Sequence, residues 1–176
     1  MLLETMYGIN GKDAVITERV NNWQLQNQYR IPEEIHNWVR SHFPDSSSWH
    51  AYTIGLQHTD PGSTNGWMAV DFRPEDFSLI VTRGNKLLLA QTYSYATPAD
   101  VIYYLLNACR EFSFTQESVQ VSLSGLVDKE SALYRELHSY FLNLSFREPA
   151  WTLQGAGAEY PAHFFTSLND LALCAS

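Results

Sequence analysis

Three apolar segments in close succession constrain the fold of this chain most strongly. They occupy residues 67–72, 77–82 and 87–93, are rich in Val, Leu, Ile and Phe, and are separated only by short polar turns. The turn at residues 83–86 contains Gly84 and Asn85, residue types that tolerate positive φ. The sequence therefore predicts a three-stranded meander, and the near-continuous apolar runs indicate strands that are covered on both faces.

Helices and strands alternate after this meander. Thr97, Pro98 and Asp100 are typical of a helix start, as cap, first and third helical residues. A strand is predicted at residues 119–123, and Asp128 is expected to cap the next helix. A short strand at 144–146 and a terminal helix at 164–174 follow. The order β-β-β-α-β-α-β-α predicts an α/β fold with a mixed sheet and flanking helices.

The N-terminal third is predicted less uniformly. Asp13 is expected to cap a short helix, with Val15, Ile16, Val20 and Trp23 on one side. Residues 28–31 fit an extended segment, and Pro32, Glu33 and Glu34 predict the first turn of a helix that ends at Pro44. Residues 49–57 fit either a strand or a helix. We expect a single domain over residues 1–176, in which 1–31 form a remnant of, or linker to, a first lobe and 32–176 form the core.

Charge and hydropathy exclude several classes of partner. The net charge is −8, with only 11 lysines and arginines. A general nucleic-acid binder needs a basic surface to neutralise phosphates, so no nucleic-acid partner is expected. No apolar run is long enough for membrane insertion, and the first residues lack a secretory signal, so we expect a cytoplasmic location. The low charged content of 17% implies either a surface rich in Ser, Thr, Asn and Gln or a surface partly covered by a protein partner. Together with the aromatic content of 14%, it also motivates association of the chain with a second copy of itself.

The residues do not predict a catalytic or metal site. None of the six histidines forms a pair with the spacing typical of zinc sites, although His50 and His58 flank a segment near Asp60 where a metal remains an alternative. Asp71, Glu75 and Asp76 fit either a carboxylate pair or a solvated turn. The aromatic residues of the two predicted helices after the meander fit either a pocket or core packing: Tyr103, Tyr104, Phe112, Tyr134, Tyr140 and Phe141. Cys109 and Cys174 are predicted to be free thiols, with Cys109 buried on a helix.

Several spaced segments carry a family resemblance that covers most of residues 28–174. They are residues 84–93 with 97–104, residues 121–125 with Leu133-Tyr134, residues 142–146, and residues 161–165. This pattern resembles the DUF3822 family, uncharacterised proteins from Bacteroidota. The resemblance implies an actin-like ATPase fold with a ribonuclease H-like lobe, related in shape to type IV pilus and type II secretion scaffold proteins. Family members are usually longer at the N-terminus, so the resemblance implies an abbreviated or truncated first lobe.

The resemblance also indicates where a nucleotide would bind. The superfamily binds ATP through turns in which glycines expose backbone N–H groups to phosphate and an aspartate organises Mg²⁺. The corresponding turn here keeps Asp71 but has Arg73 and Pro74 where a flexible, donating backbone is needed. A second expected glycine pair is replaced by Ala96-Thr97, and Gly125 alone remains at the adenosine position.

These substitutions favour a binding function over a catalytic one. We expect a non-catalytic actin-like scaffold or interaction protein with degenerate nucleotide-binding turns, and ATP and Mg²⁺ are not predicted as cofactors. The alternative is a nucleotide-binding ATPase or kinase-like protein that uses Asp71 and Gly125. A third hypothesis is an assembly subunit that associates with itself.

Overall fold

The structure is a computed structural model that describes residues 12–20, 23–59, 64–149 and 159–174. Its contacts group the chain into two compact units, Met1–Gln57 and His58–Ser176. Within the described residues, no helix combines the length and the apolar character needed to cross a bilayer.

The described residues of the first unit form a β-hairpin and two helices. Its elements are β1 (Asp13–Val20), β2 (Leu25–Pro32), α1 (Glu33–His42) and α2 (Ala51–Gln57). The strands pair antiparallel, with Val20 opposite Leu25. The extended segment at residues 28–31 and the helix that begins after Pro32 are thus confirmed, and residues 51–57 are helical.

The helix predicted after Asp13 is wrong, because this segment is β1. Along β1, Glu18 and Val20 are buried while Thr17 and Arg19 between them are exposed, the two-residue alternation of a strand. Burial of Glu18 hides this alternation from the sequence, since a carboxylate normally marks the exposed face. Here the Tyr29 hydroxyl (2.5 Å) and the backbone N–H of His50 (3.0 Å) donate hydrogen bonds to that carboxylate.

The second unit is built on a five-stranded mixed sheet in the order β5-β4-β3-β6-β7. The first three strands form the predicted antiparallel meander, and β6 and β7 run parallel to β3. The strands are β3 (Trp67–Phe72), β4 (Asp76–Arg83), β5 (Lys86–Ser94), β6 (Gln120–Gly125) and β7 (Asn143–Phe146). The helices are α3 (Pro98–Glu111), α4 (Ala132–Tyr140) and α5 (Thr166–Cys174), with a 3-10 turn at Ala162–Phe165 before α5.

The core of the second unit lies at the centre of the sheet. Residues 79–82 of β4 are buried in succession, which confirms coverage of both faces for this strand. Edge strand β5 buries no residue completely, so the same expectation is wrong there. Helix α3 contributes Val101 and Leu105 to this core, and the fully buried Phe72 and Phe77 flank the β3–β4 turn.

The starts of the helices test the capping predictions. At α3, the backbone N–H of Thr97 donates to the Asp100 carboxylate at 2.8 Å, which confirms the predicted capping box. At α4 the predicted cap is wrong. The Ser131 hydroxyl accepts from the N–H of Tyr134 at 3.1 Å, whereas Asp128 accepts from the N–H of Glu130 in the preceding turn.

Candidate functional site

The parallel pair β3–β6 brings the two predicted nucleotide-binding residues to one end of the sheet. Asp71 lies opposite Ser124, and Phe72 lies opposite Gly125. The buried Ser124 hydroxyl donates a hydrogen bond to Asp71 Oδ1 at 2.8 Å. The Asp71 carboxylate is therefore held by a neighbouring strand of its own sheet.

Gly125 has a structural reason to be glycine in this fold. Its φ is +75°, and a Cβ added there would lie 2.1 Å from the carbonyl oxygen of Phe72. The next residue, Leu126, donates its N–H to this same carbonyl at 2.8 Å. A side chain at position 125 would break this close approach between the end of β6 and the end of β3.

The β3–β4 turn, residues 73–75, is closed by its own polar contacts. Arg73 donates from Nε to Asp76 Oδ1 at 2.5 Å and from its backbone N–H to the Asp76 carbonyl at 2.9 Å. Pro74 has no N–H to offer. The turn therefore lacks a backbone donor at residue 74, and the N–H of Arg73 is bound to the Asp76 carbonyl.

Tyr95 fastens the segment after β5 onto this turn. Its hydroxyl donates to the Arg73 carbonyl at 3.2 Å, and its backbone N–H donates to the Glu75 carbonyl at 3.2 Å. Burial raises the pKa of the Tyr95 phenol, and the nearby Asp76 carboxylate raises it further. Nothing in the local sequence indicated this role, because a single tyrosine between a strand and a helix cap has no distinctive pattern.

The backbone donors at the start of α3 are also occupied. The N–H groups of Ala96 and Thr97 donate to one oxygen, Oδ2 of Asp100, at 3.0 and 2.8 Å. These hydrogen bonds stabilise the charged carboxylate and lower the pKa of Asp100. Ala96-Thr97 is the position of the second expected glycine pair, so a carboxylate of the chain binds the donors found there.

The charges around the β3–β4 turn and the segment after β5 are predominantly negative. Four carboxylates, those of Asp71, Glu75, Asp76 and Asp100, lie in or beside these two segments, together with the guanidinium of Arg73. Asp76 is paired with Arg73, and Asp71 accepts from Ser124, so these groups form separate contacts. The local field therefore opposes the approach of a polyphosphate.

The other sequence candidates do not form a common site among the described residues. Asp60 lies outside them, and no group of three potential metal ligands occurs within them. His50 accepts the N–H of Tyr52 at Nδ1 (3.1 Å), and burial lowers its pKa although Glu18 opposes this shift. Tyr104 stacks on Tyr93, with ring centroids 4.1 Å apart. The aromatic residues of α4 pack elsewhere, as in the stack of Tyr134 on Phe146, so these rings do not line one pocket.

A surface pocket of about 540 Å³ lies beside α4. It is lined by Lys129, Glu130, Tyr134, Arg135 and His138. Arg135 donates to the backbone carbonyl of Glu130 at 2.8 Å. Neither Asp71 nor Gly125 lines this pocket, so it is separate from the candidate nucleotide position.

Comparison with known sequences identifies the family. The family described as "Protein of unknown function (DUF3822)" matches residues 2–144. The chain belongs to the DUF3822 family. The matched range extends nearer to the N-terminus than the resembling segments and does not include residues 161–165. No curated protein matches the sequence.

Solved structures show the same fold. A Bacteroides thetaiotaomicron protein with an actin-like ATPase fold and unknown function has a TM-score of 0.75 at 17% identity, over 98% of this chain. The chain spans 63% of the length of that protein. PilM, from a PilM–PilN type IV pilus biogenesis complex, has a TM-score of 0.64 at 12% identity, over 98% of this chain and 69% of that one. The chain therefore has the actin-like ATPase fold that the sequence predicts.

Proposed function

We propose that this chain works by binding another protein and does not turn over a nucleotide. The observation that carries the proposal is the closed state of the β3–β4 turn and the segment that follows β5. Arg73, Asp76 and Tyr95 bond to one another or to the turn's backbone, and Asp100 occupies the N–H groups of Ala96 and Thr97. A phosphate would have to displace these contacts before it could be bound.

Electrostatics support the same proposal. The Asp100 carboxylate accepts a hydrogen bond from the N–H of Thr97, and the Asp71 carboxylate accepts one from the Ser124 hydroxyl. A nucleotide-binding protein would offer such donors to phosphate or to Mg²⁺-bound oxygens. Displacing a charged, hydrogen-bonded carboxylate costs more than displacing water, because charge-assisted hydrogen bonds are roughly twice as strong as neutral ones. An actin-like frame with such turns is suited to presenting a surface.

One relative of the same fold points to protein partners. PilM was solved as a complex with a second protein, PilN. At 12% identity this likeness concerns the fold alone, and it supports the class of function without identifying the partner of this chain.

A nucleotide-binding function is the second candidate, because the fold places Asp71 and Gly125 at neighbouring strand ends. On this reading Asp71 organises Mg²⁺ and Gly125 lies near adenosine. Ser124 would then have to release its hydrogen bond to Asp71 when the metal binds.

Thermal unfolding with and without millimolar Mg-ATP separates the two candidates. A ligand that binds only the folded state stabilises it by RT ln(1 + [L]/Kd), which is about 2.7 kcal/mol at a hundredfold excess over Kd. We expect no shift in the melting temperature. A rise of several degrees that disappears in Asp71→Ala would contradict the binding-only proposal and support the nucleotide-binding one.

The positive part of the proposal needs its own measurement. Immobilised chain should retain a defined protein from lysate, and the purified protein should then bind with a saturable affinity that Mg-ATP does not change. An affinity that requires ATP would contradict the proposal.

A further inference from the structure

Helix α1 exposes the side of the helix that is usually buried. It is amphipathic over ten residues, yet none of its residues is buried. Ile35 is 55% exposed and Trp38 is 56% exposed, and the adjoining Phe43 is exposed to the same degree. Large apolar side chains grouped in this way on a surface typically mark an interaction site.

The exposed surface carries ionisable residues of opposite kind on the two sides of Trp38. Glu34, Trp38 and His42 are spaced four residues apart, so they form one row along the helix. An acidic residue thus lies one turn before the tryptophan, and a histidine lies one turn after it. All three are exposed.

Local contacts fix the orientation of His42. Its ring stacks on Trp38, with centroids 4.6 Å apart and planes inclined by 26°. Its Nδ1 donates to the Trp38 carbonyl at 2.9 Å. Nε2 makes no hydrogen bond with a described residue, so a protonated ring can donate from Nε2 to a carboxylate outside the helix.

We propose that α1 is a self-association surface on which two copies of the chain pair antiparallel about a two-fold axis at Trp38. In this arrangement the residue four places before Trp38 in one copy lies opposite the residue four places after it in the other. Glu34 of each copy then faces His42 of its partner, while Trp38 and Ile35 are buried between the helices. An isologous pairing makes each charge contact twice.

Charge complementarity selects this occupant. The row is self-complementary only in the antiparallel sense, because a parallel pair would place Glu34 against Glu34 and His42 against His42. One helix pair buries a small area, and interfaces below roughly 1,200 Å² are typically weak and transient. We therefore expect a concentration-dependent dimer. The inference does not depend on whether the chain binds a nucleotide or another protein.

Sedimentation velocity of the full chain tests the surface. Measurements run up to about 500 µM, to detect weak association. We expect the mass to rise with concentration from the 20.1 kDa of the monomer toward twice that value. Trp38→Ser should abolish the rise. Leu168→Ser removes a comparably exposed leucine (58%) from α5 and should leave association unchanged.

A charge exchange tests the antiparallel geometry. Glu34→Lys and His42→Glu should each weaken self-association at least tenfold, because each places like charges opposite one another. An equimolar mixture of the two variants should recover association, since both contacts of the mixed dimer are then attractive. His42→Lys keeps a cation and should retain the dimer. A monomer at every concentration, association that survives Trp38→Ser, or a mixture that stays monomeric would overturn the proposal.

Discussion

Ser124 donates a hydrogen bond to Asp71 and thereby joins the ends of β6 and β3, with Oγ and Oδ1 2.8 Å apart. This contact engages the carboxylate that the family resemblance associates with Mg²⁺. It also links the candidate site to the stability of the sheet, because both strands lie at the centre of the second unit.

Replacement of Asp71 tests this link. Asp71→Ala should lower the free energy of unfolding by about 1–2 kcal/mol, because the buried Ser124 hydroxyl loses its acceptor. Asp71→Asn keeps an acceptor oxygen and should cost less. Urea denaturation of both variants gives the comparison. Equal losses in the two would show that the hydrogen bond contributes little.

Gly125 and Gly84 form a matched pair for a second prediction. Both have positive φ, +75° and +52°, but an added Cβ meets the Phe72 backbone at Gly125 and open space at Gly84. Gly84→Ala should therefore cost only the backbone strain, about 1–2 kcal/mol. Gly125→Ala should cost clearly more, or prevent folding, because the β3 and β6 ends must separate. Denaturant midpoints for both variants measure the difference, and similar midpoints would contradict it.

The elements predicted best from the sequence are those whose local signals agree with their packing. In β4, an apolar run corresponds to burial on both faces, and at α3 the Thr97–Asp100 capping box forms as predicted. β1 was mispredicted because Glu18 is an acid on the buried face, and its partners, Tyr29 and His50, are distant in sequence. Long-range satisfaction of a buried carboxylate is not visible in a local pattern.

The change in the free energy of unfolding as the pH falls below neutral provides a third prediction. Burial lowers the pKa of His50 below its usual value near 6.5, so the unfolded state binds a proton more readily than the folded state. The contribution of neutral His50 to the free energy of unfolding is fully present above the usual pKa of histidine. It is lost as the pH falls toward the lower pKa of the folded state. His50→Gln should therefore show a shallower loss of stability between about pH 7 and pH 5. Unfolding at several pH values measures this slope, and an unchanged slope would contradict the shift.

The candidate site was only partly predictable. The sequence alone indicated four residues of the site. Two of them, Asp71 and Gly125, keep the nucleotide-binding pattern of the superfamily, and the other two, Arg73 and Pro74, depart from it. The contacts that close the site could not be predicted in this way, since Tyr95 reaches Arg73 across the turn through tertiary structure alone. The Ser124–Asp71 hydrogen bond likewise depends on the β3–β6 register, which joins residues 53 positions apart.

Cys109 should be unreactive in the native chain. The residue is 5% exposed, and burial raises the pKa of its thiol to about 11. Thiolate is the reactive form, so alkylation at about pH 8 should be very slow until the chain unfolds. A Cys174→Ser background isolates Cys109, and mass spectrometry follows the labelling. Rapid labelling without denaturant would show that α3 opens readily or that the thiol is accessible.

Calorimetric titration with a non-hydrolysable ATP analogue and Mg²⁺ tests the central claim most directly. The contacts that close the β3–β4 turn and the segment after β5 predict no saturable heat of binding, in the native chain and in Asp71→Asn alike. Saturable binding near one nucleotide per chain that Asp71→Asn abolishes would contradict the claim and would establish Asp71 as part of a working nucleotide site.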